Sequence, residues 1–262
     1  MSESEKLLVT LENGIKRITI NRPERRNAVD KETIQGLSQA IETSKSDGTR
    51  VIILTGEGEA FCAGADLQRR GDEGIIGIDV TKSLREGANP LIIAMRALPV
   101  PIIARVHGHA VGIGCNFALA SDIIIASEKA LFSQIFVRIG LMPDGGGTFF
   151  LPRLVGYHKA FELMATGDII DAKTALSIGM VNHVVPVEEL DATVATMAEK
   201  LARGAAIAIA KVKGAANQAL TNNLADALDA EAVNQADCFS SADFAEGVQA
   251  FLEKRKAAFQ GR

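Results

Sequence analysis

Cysteine is scarce and scattered in this 262-residue chain: Cys62, Cys115 and Cys238, with no CxxC pair. That excludes a disulfide framework and a cysteine-built zinc site. Long apolar runs are missing as well. No stretch of about 18 apolar residues occurs, so no segment reads as a membrane span. Ser2 to Lys6 are polar with no apolar run behind them, which gives no sign of a secretory signal. An excess of charge of one sign is also lacking. Lys and Arg number 28 against 32 Asp and Glu, a net charge of -4. Binding to nucleic acid or to an anionic membrane surface has no electrostatic footprint here. The expectation is a soluble cytoplasmic protein without membrane or nucleic-acid partners. The basic cluster Lys254-Arg255-Lys256 reads first as a solvated helix face.

Complete nucleotide motifs are absent despite 24 glycines. Gly112-Ile113-Gly114 lacks the third glycine of a dinucleotide fingerprint, because Phe117 stands there. Gly56-Glu57-Gly58 fails in the same way at Phe61. No phosphate loop of the G-x-x-x-x-G-K-[ST] form and no G-x-S-x-G nucleophile elbow occurs. His107 and His109 are spaced as a metal pair, but no third ligand is suggested, so no metal is expected.

What is present is an alternation of strand and helix signals. Leu7 to Leu11 and Ile15 to Ile20 flank Asn13-Gly14, a two-residue hairpin turn. Asp30 can cap a helix over about 31–45. Val51 to Leu54 is a continuous apolar strand of the kind buried on both faces. A polar segment at 68–80 leads to a helix at about 81–97. Then follow a strand at 101–106, a glycine-rich turn at 108–114, a short helix at about 114–120 and a strand at 122–126. After about 195 alanine becomes frequent and strand signals vanish. Helices are expected at about 187–203, 205–219, 221–238 and 242–256. The fold class is α/β, with a core over 1–195 and an all-helical region over 196–262.

Two segments share a design. Phe61 to Leu67 ("FCAGADL") and Val106 to Asn116 ("VHGHAVGIGCN") both follow a buried strand with small residues. Small side chains let a ligand approach backbone N–H groups. The second segment also opens a helix, whose dipole is positive near Ile113. Two N–H groups converging on one oxygen make an oxyanion hole, worth about 10²–10³ in rate per donor.

With "NRPERRNAVD" (21–30), "AFCAGADL" (60–67), "GHAVGIGCNFALASD" (108–122), "FSQIFVRIGLMPDGGGTFFLPRLVG" (132–156) and "EGVQAFLEKRKAAF" (246–259), the chain resembles the crotonase, or enoyl-CoA hydratase/isomerase, superfamily over nearly its whole length. The resemblance implies a ββα spiral core and a C-terminal helical region that builds trimers, often paired as hexamers. It implies an acyl-CoA thioester substrate, no permanently bound cofactor, and oxyanion donors at Ala65 and Ile113. It suggests coenzyme A contacts at Arg26, Ala28, Ala63, Asp66 and Leu67. Phe251 and Lys254 would reach the adenosine end from a neighbouring subunit. The family often has three glycines where this chain has Gly112-Ile113-Gly114, and Ile113 cannot take a positive φ cheaply.

The hydratases of this family use two glutamates, and those positions fall on Asn116 and Phe136. Neither is acidic. The carboxylate left at the acyl end is Asp144, in a form of the motif especially similar to the ring 1,2-epoxyphenylacetyl-CoA isomerases of phenylacetate breakdown. One carboxylate suits double-bond migration: it takes a proton from one carbon and returns it to another. Phe136, Leu141 and Met142 would supply an apolar wall that raises its pKa, with Asn116 also lining the acyl pocket. Asp66 reads as the cap of a following helix. The alternatives are a hydratase with a rearranged water site, or a weakly catalytic member that binds CoA or RNA.

Overall fold

The computed structural model of the chain describes residues 5–67 and 79–262. Two strands, β1 (Leu7–Glu12) and β2 (Ile15–Ile20), pair antiparallel around Asn13 and Gly14, which both take positive φ. That pair of angles matches the right-handed twist of the strands it joins. Helix α1 (Lys31–Thr43) begins where Asp30 accepts the backbone N–H of Thr33 at 2.9 Å. The polar segment expected over 68–80 lies almost entirely outside the described residues. Helix α2 (Val80–Ser83) runs through a π-helical turn at Leu84–Ala88 into α3 (Asn89–Ala97), as one helical stretch.

Burial would raise the Asp30 carboxyl, but it is outweighed by hydrogen bonds from Lys6 and from the Thr33 amide and hydroxyl, and by the nearby Arg22 charge. The result is a pKa of about 2, against an ordinary 3.8. A carboxyl depressed in the fold stabilises above its unfolded pKa, and that contribution is lost as pH falls from about 3.8 toward 2. Asp30→Ala is expected to lower unfolding free energy by about 1 kcal/mol at neutral pH. The difference should shrink below pH 3, which urea titrations at both pH values would measure.

Strands β3 (Val51–Gly56), β4 (Ile102–Val106), β6 (Ile123–Ser127) and β9 (His183–Val185) extend the hairpin into one six-stranded sheet of order β1-β2-β3-β4-β6-β9, parallel from β2 onward. A second sheet, order β5-β7-β8, holds β5 (His109–Val111), β7 (Leu131–Ser133) and β8 (Ile169–Asp171). Two successive turns of the chain leave the large sheet, enter the small one and then form a helix. From β4 it passes to β5 and α4 (Ile113–Ala120). From β6 it passes to β7 and α5 (Gly147–Val155). This is the spiral that the resemblance implied. The turn expected at 108–114 holds a short strand, β5, because its backbone pairs with β7.

The continuous apolar runs are explained by two covered faces. Ile52, Leu54, Ile102, Ala104 and Ile124 join the main core with α1, α3 and α4. Their neighbours Val51, Ile53, Ile103 and Ile125 pack on Leu190, Val194 and Ala198 of α8 (Leu190–Ala202). The division at 195/196 thus falls inside a helix that belongs to the core. Beyond it, α9 (Ala206–Ala219), α10 (Leu224–Phe239) and α11 (Ala242–Leu252) form the helical region. The last helix stops at Leu252, not 256, because Lys254 takes φ 54° and ends the turn. Among the described residues no helix is long and apolar enough to cross a membrane.

Candidate active site

The two small-residue segments lie side by side. Cys62 bridges Ala110 in parallel: the Cys62 amide donates to His109 O at 2.9 Å, and Val111 N donates to Cys62 O at 3.0 Å. Three residues further along each segment stand Ala65 and Ile113. Among the described residues neither of their backbone N–H groups donates to a protein acceptor. Equivalent positions on adjacent spiral turns thus offer two unengaged donors.

The glycines around Ile113 divide the work. Gly112 takes φ 56°, ψ -127°, so the left-handed angle falls on glycine and Ile113 begins α4 in ordinary helical geometry. The missing glycine at 113 therefore costs no strain. Gly114 is needed for proximity: a Cβ there would lie 2.3 Å from Cys62 O and 2.7 Å from Cys62 Sγ. The helix packs directly on the first donor segment. The Ile113 side chain is buried, with its Cγ1 3.0 Å from where a Gly145 Cβ would stand. Phe136 is buried with its ring edge 3.7 Å from the corresponding point on Gly112.

Asp144 precedes Gly145 in the irregular segment before α5. Its carboxylate is half-buried, and Oδ1 has no hydrogen-bond partner in the described structure. Burial alone raises its pKa above the ordinary 3.8. Leu141 and Met142, expected to wall the carboxylate, are 51% and 70% exposed, so most of their surface faces outward in the single chain. Ile113 packs against the neighbouring Gly145. Asn116 is fully buried behind Asp144. Its Nδ2 donates to the Asp144 carbonyl at 2.7 Å, and its Oδ1 accepts from Gln134 Nε2 at 2.7 Å. The sequence reading missed Gln134, although a polar residue closing the buried strand β7 was its only signal.

Arg26 is exposed, and its carbonyl accepts the Ala63 N–H at 3.0 Å; Val29 bridges Ala65. The structure thus brings Arg26, Ala28, Ala63 and Ala65 along one edge, with Leu67 half exposed beside them. Asp66 pairs with Arg22 at 2.7 Å, and Arg22 also donates to Ala28 O. The helix that Asp66 was expected to cap would lie outside the described residues. Phe251, 83% exposed, borders an apolar groove of the C-terminal helices with Phe244, Val248 and Phe259. It and Lys254 lie apart from the bonds that join the donor segments.

Other reactive side chains are accounted for. Burial pushes the Cys62 and Cys115 thiols up to about 12, so neither is a nucleophile near neutral pH. His107 bonds Arg105 at 2.9 Å and Gly58 O at 2.8 Å. Among the described residues no three His, Cys, Asp or Glu side chains cluster as a metal site.

The family model described as enoyl-CoA hydratase/isomerase matches residues 10–262. A Rhodobacter capsulatus protein named "Probable enoyl-CoA hydratase" is 42% identical over 252 residues, 96% of each chain. The 1,2-epoxyphenylacetyl-CoA isomerase of Escherichia coli is 39% identical over 260 residues, 98% of this chain and 99% of that one. The crystal structure of an enoyl-CoA hydratase subunit I from Geobacillus kaustophilus superimposes with TM-score 0.92 and 34% identity, covering 100% of both chains.

Proposed function

We propose, from the premise that this chain belongs to the enoyl-CoA hydratase/isomerase family, that it moves double bonds in enoyl-CoA thioesters with Asp144 as its one acid/base. The observation that carries this is the unpartnered, desolvated Asp144 Oδ1 on the turn packed against Ile113. A carboxylate with a free oxygen and a pKa raised by burial is better suited to accept and return a proton than an ordinary surface carboxylate.

For a 3-enoyl-CoA, Asp144 removes a proton from C2. The electron pair moves onto the thioester oxygen, giving a dienolate held by the Ala65 and Ile113 N–H groups. The Asp144 carboxylic acid then delivers the proton to C4, and the double bond lies between C2 and C3. No water is consumed. The epoxyphenylacetyl-CoA isomerase relative supports extending the substrate range to ring-epoxide thioesters.

Hydration is the second reading, supported by the name of the Rhodobacter relative. It needs one group to activate water and one to protonate C2, and Asn116 and Phe136 can do neither at their positions. The expected result is faster conversion of 3-enoyl- to 2-enoyl-CoA than hydration of crotonyl-CoA, followed by thioester absorbance. Hydration outrunning migration would reverse the assignment.

The coenzyme A groove in this reading runs along Arg26, Ala28, Ala63, Asp66 and Leu67. Phe251 and Lys254 would complete it from a second copy, Lys254 as a point charge for phosphate. Helix α10 has no buried residue, and Leu224, Leu228 and Val233 on it are exposed, which supports assembly through the C-terminal helices as a trimer or a pair of trimers.

A further inference from the structure

Asn116 stands where an acid is missing, yet its amide is engaged at both ends. One end holds the Asp144 carbonyl and the other is held by Gln134. The order of donors is forced. Asp144 O can only accept, so Asn116 must turn Nδ2 toward it and Oδ1 toward Gln134, which must then present its NH₂. Both amides are buried, at 0% and 2% exposure. Gly147 leaves room for them: a Cβ there would lie 2.8 Å from Gln134 Oε1 and 2.9 Å from Asn116 Nδ2. At the far end Gln134 Oε1 is buried without a hydrogen-bond partner in the described structure, as Asp144 Oδ1 is at the near end. Two unpaired acceptors on one short relay are a cost that a purely structural contact does not require.

Asn116 also lies one helical turn after Ile113 on α4, so it ties the Asp144 turn to the helix that carries an oxyanion donor. We propose that Gln134 and Asn116 form an amide relay that positions Asp144 against the thioester site, with Asn116 a positioning residue. An ionised glutamate or aspartate at 116 could not donate to the Asp144 carbonyl and would set a second negative charge beside the first. This inference rests on Asp144 being the acid/base.

The test compares Asn116→Asp, Asn116→Ala, Gln134→Met and Asp144→Asn in the full-length protein with a 3-enoyl-CoA. It measures kcat and KM across pH, with thermal unfolding alongside. Of the described elements around the Asp144 turn, α4 brings Asn116 and the Cys115 thiol, the segment after β7 brings Gln134, and α3 brings the uncharged Ile92 against Gly146. The Cys115 thiol, pushed up to about 12 by burial, keeps its proton across the pH range measured.

Asn116→Asp and Asn116→Ala are expected to lose at least ~10-fold in kcat with KM within about twofold. Only Asn116→Asp should move the acidic limb of the kcat profile upward, by about one unit, because the added carboxylate disfavours ionised Asp144. A loss of folded protein would not move that limb. Gln134→Met, which adds no charge, should lower kcat less and leave the limb in place. If both Asn116 variants keep wild-type kcat and limb while Asp144→Asn is inactive, the relay is wrong and the acid/base assignment stands. If Asp144→Asn keeps full activity, both fall.

Discussion

Asp144→Asn is expected to lower kcat for double-bond migration by at least ~10² with little change in KM, as for loss of a general acid/base whose contribution is made in the transition state and not in substrate binding. The amide keeps the shape and the backbone bonds to Asn116 and Gly147, so substrate binding is preserved. The same substitution should make the protein more stable at neutral pH. In the fold the Asp144 carboxyl holds its proton to higher pH than in the unfolded chain, where 3.8 is ordinary. Stability is therefore lost as pH rises from about 3.8 through the raised value, the opposite of Asp30. An amide has no such loss. Thermal unfolding at pH 4 and pH 7.5 should show the variant gaining on wild type at the higher pH. An equal difference at both pH values would contradict a desolvated carboxylate. Undiminished turnover on every enoyl- and aryl-CoA tried would remove Asp144 from the chemistry.

Gly114→Ala is expected to damage both stability and catalysis. The new Cβ would stand 2.3 Å from a backbone oxygen and 2.7 Å from Cys62 Cβ, neither of which can rotate away. Overpacking of this kind costs about 1–3 kcal/mol and sometimes more. In a chain of this size that is a fall in Tm of roughly 2–4 °C per kcal/mol. Relief requires α4 to move off the first donor segment, and Ile113, the first residue of α4, moves with it. Withdrawal of one oxyanion donor costs about 10²–10³ in kcat. Differential scanning calorimetry and steady-state kinetics on the purified variant measure both. A variant with wild-type Tm and kcat would show that α4 does not depend on this contact.

Much of the fold could be read from local chemistry. Asn13-Gly14 needs two positive φ angles, Asp30 offers a cap, and the runs at 51–54 and 102–104 have no polar side chain to turn to water. Such signals lie within a few residues, so they survive without tertiary context. The family was legible because its motifs are long, and the two acid-free positions directed attention to Asp144.

Other features depend on neighbours distant in sequence. Residues 109–111 became a strand only because β7 pairs with them. The last turn at 253–256 left its helix when Lys254 took a left-handed angle. Leu141 and Met142 read as a wall but face outward, since apolarity does not say which side of a turn a side chain takes. Arg22, 44 residues before Asp66, forms an ion pair with it that no local spacing announces.

The sequence by itself determined five strands of the large sheet, the cap at Asp30, the family and the two small-residue segments, because each is written in residue type and short spacing. Only the tertiary structure decided that Gly112 carries the strained angle for Ile113, that Gly114 exists to let α4 touch Cys62, and that Asn116 is an engaged donor. Those facts are contacts between segments tens of residues apart, where the close packing of one backbone on another selects the side chain.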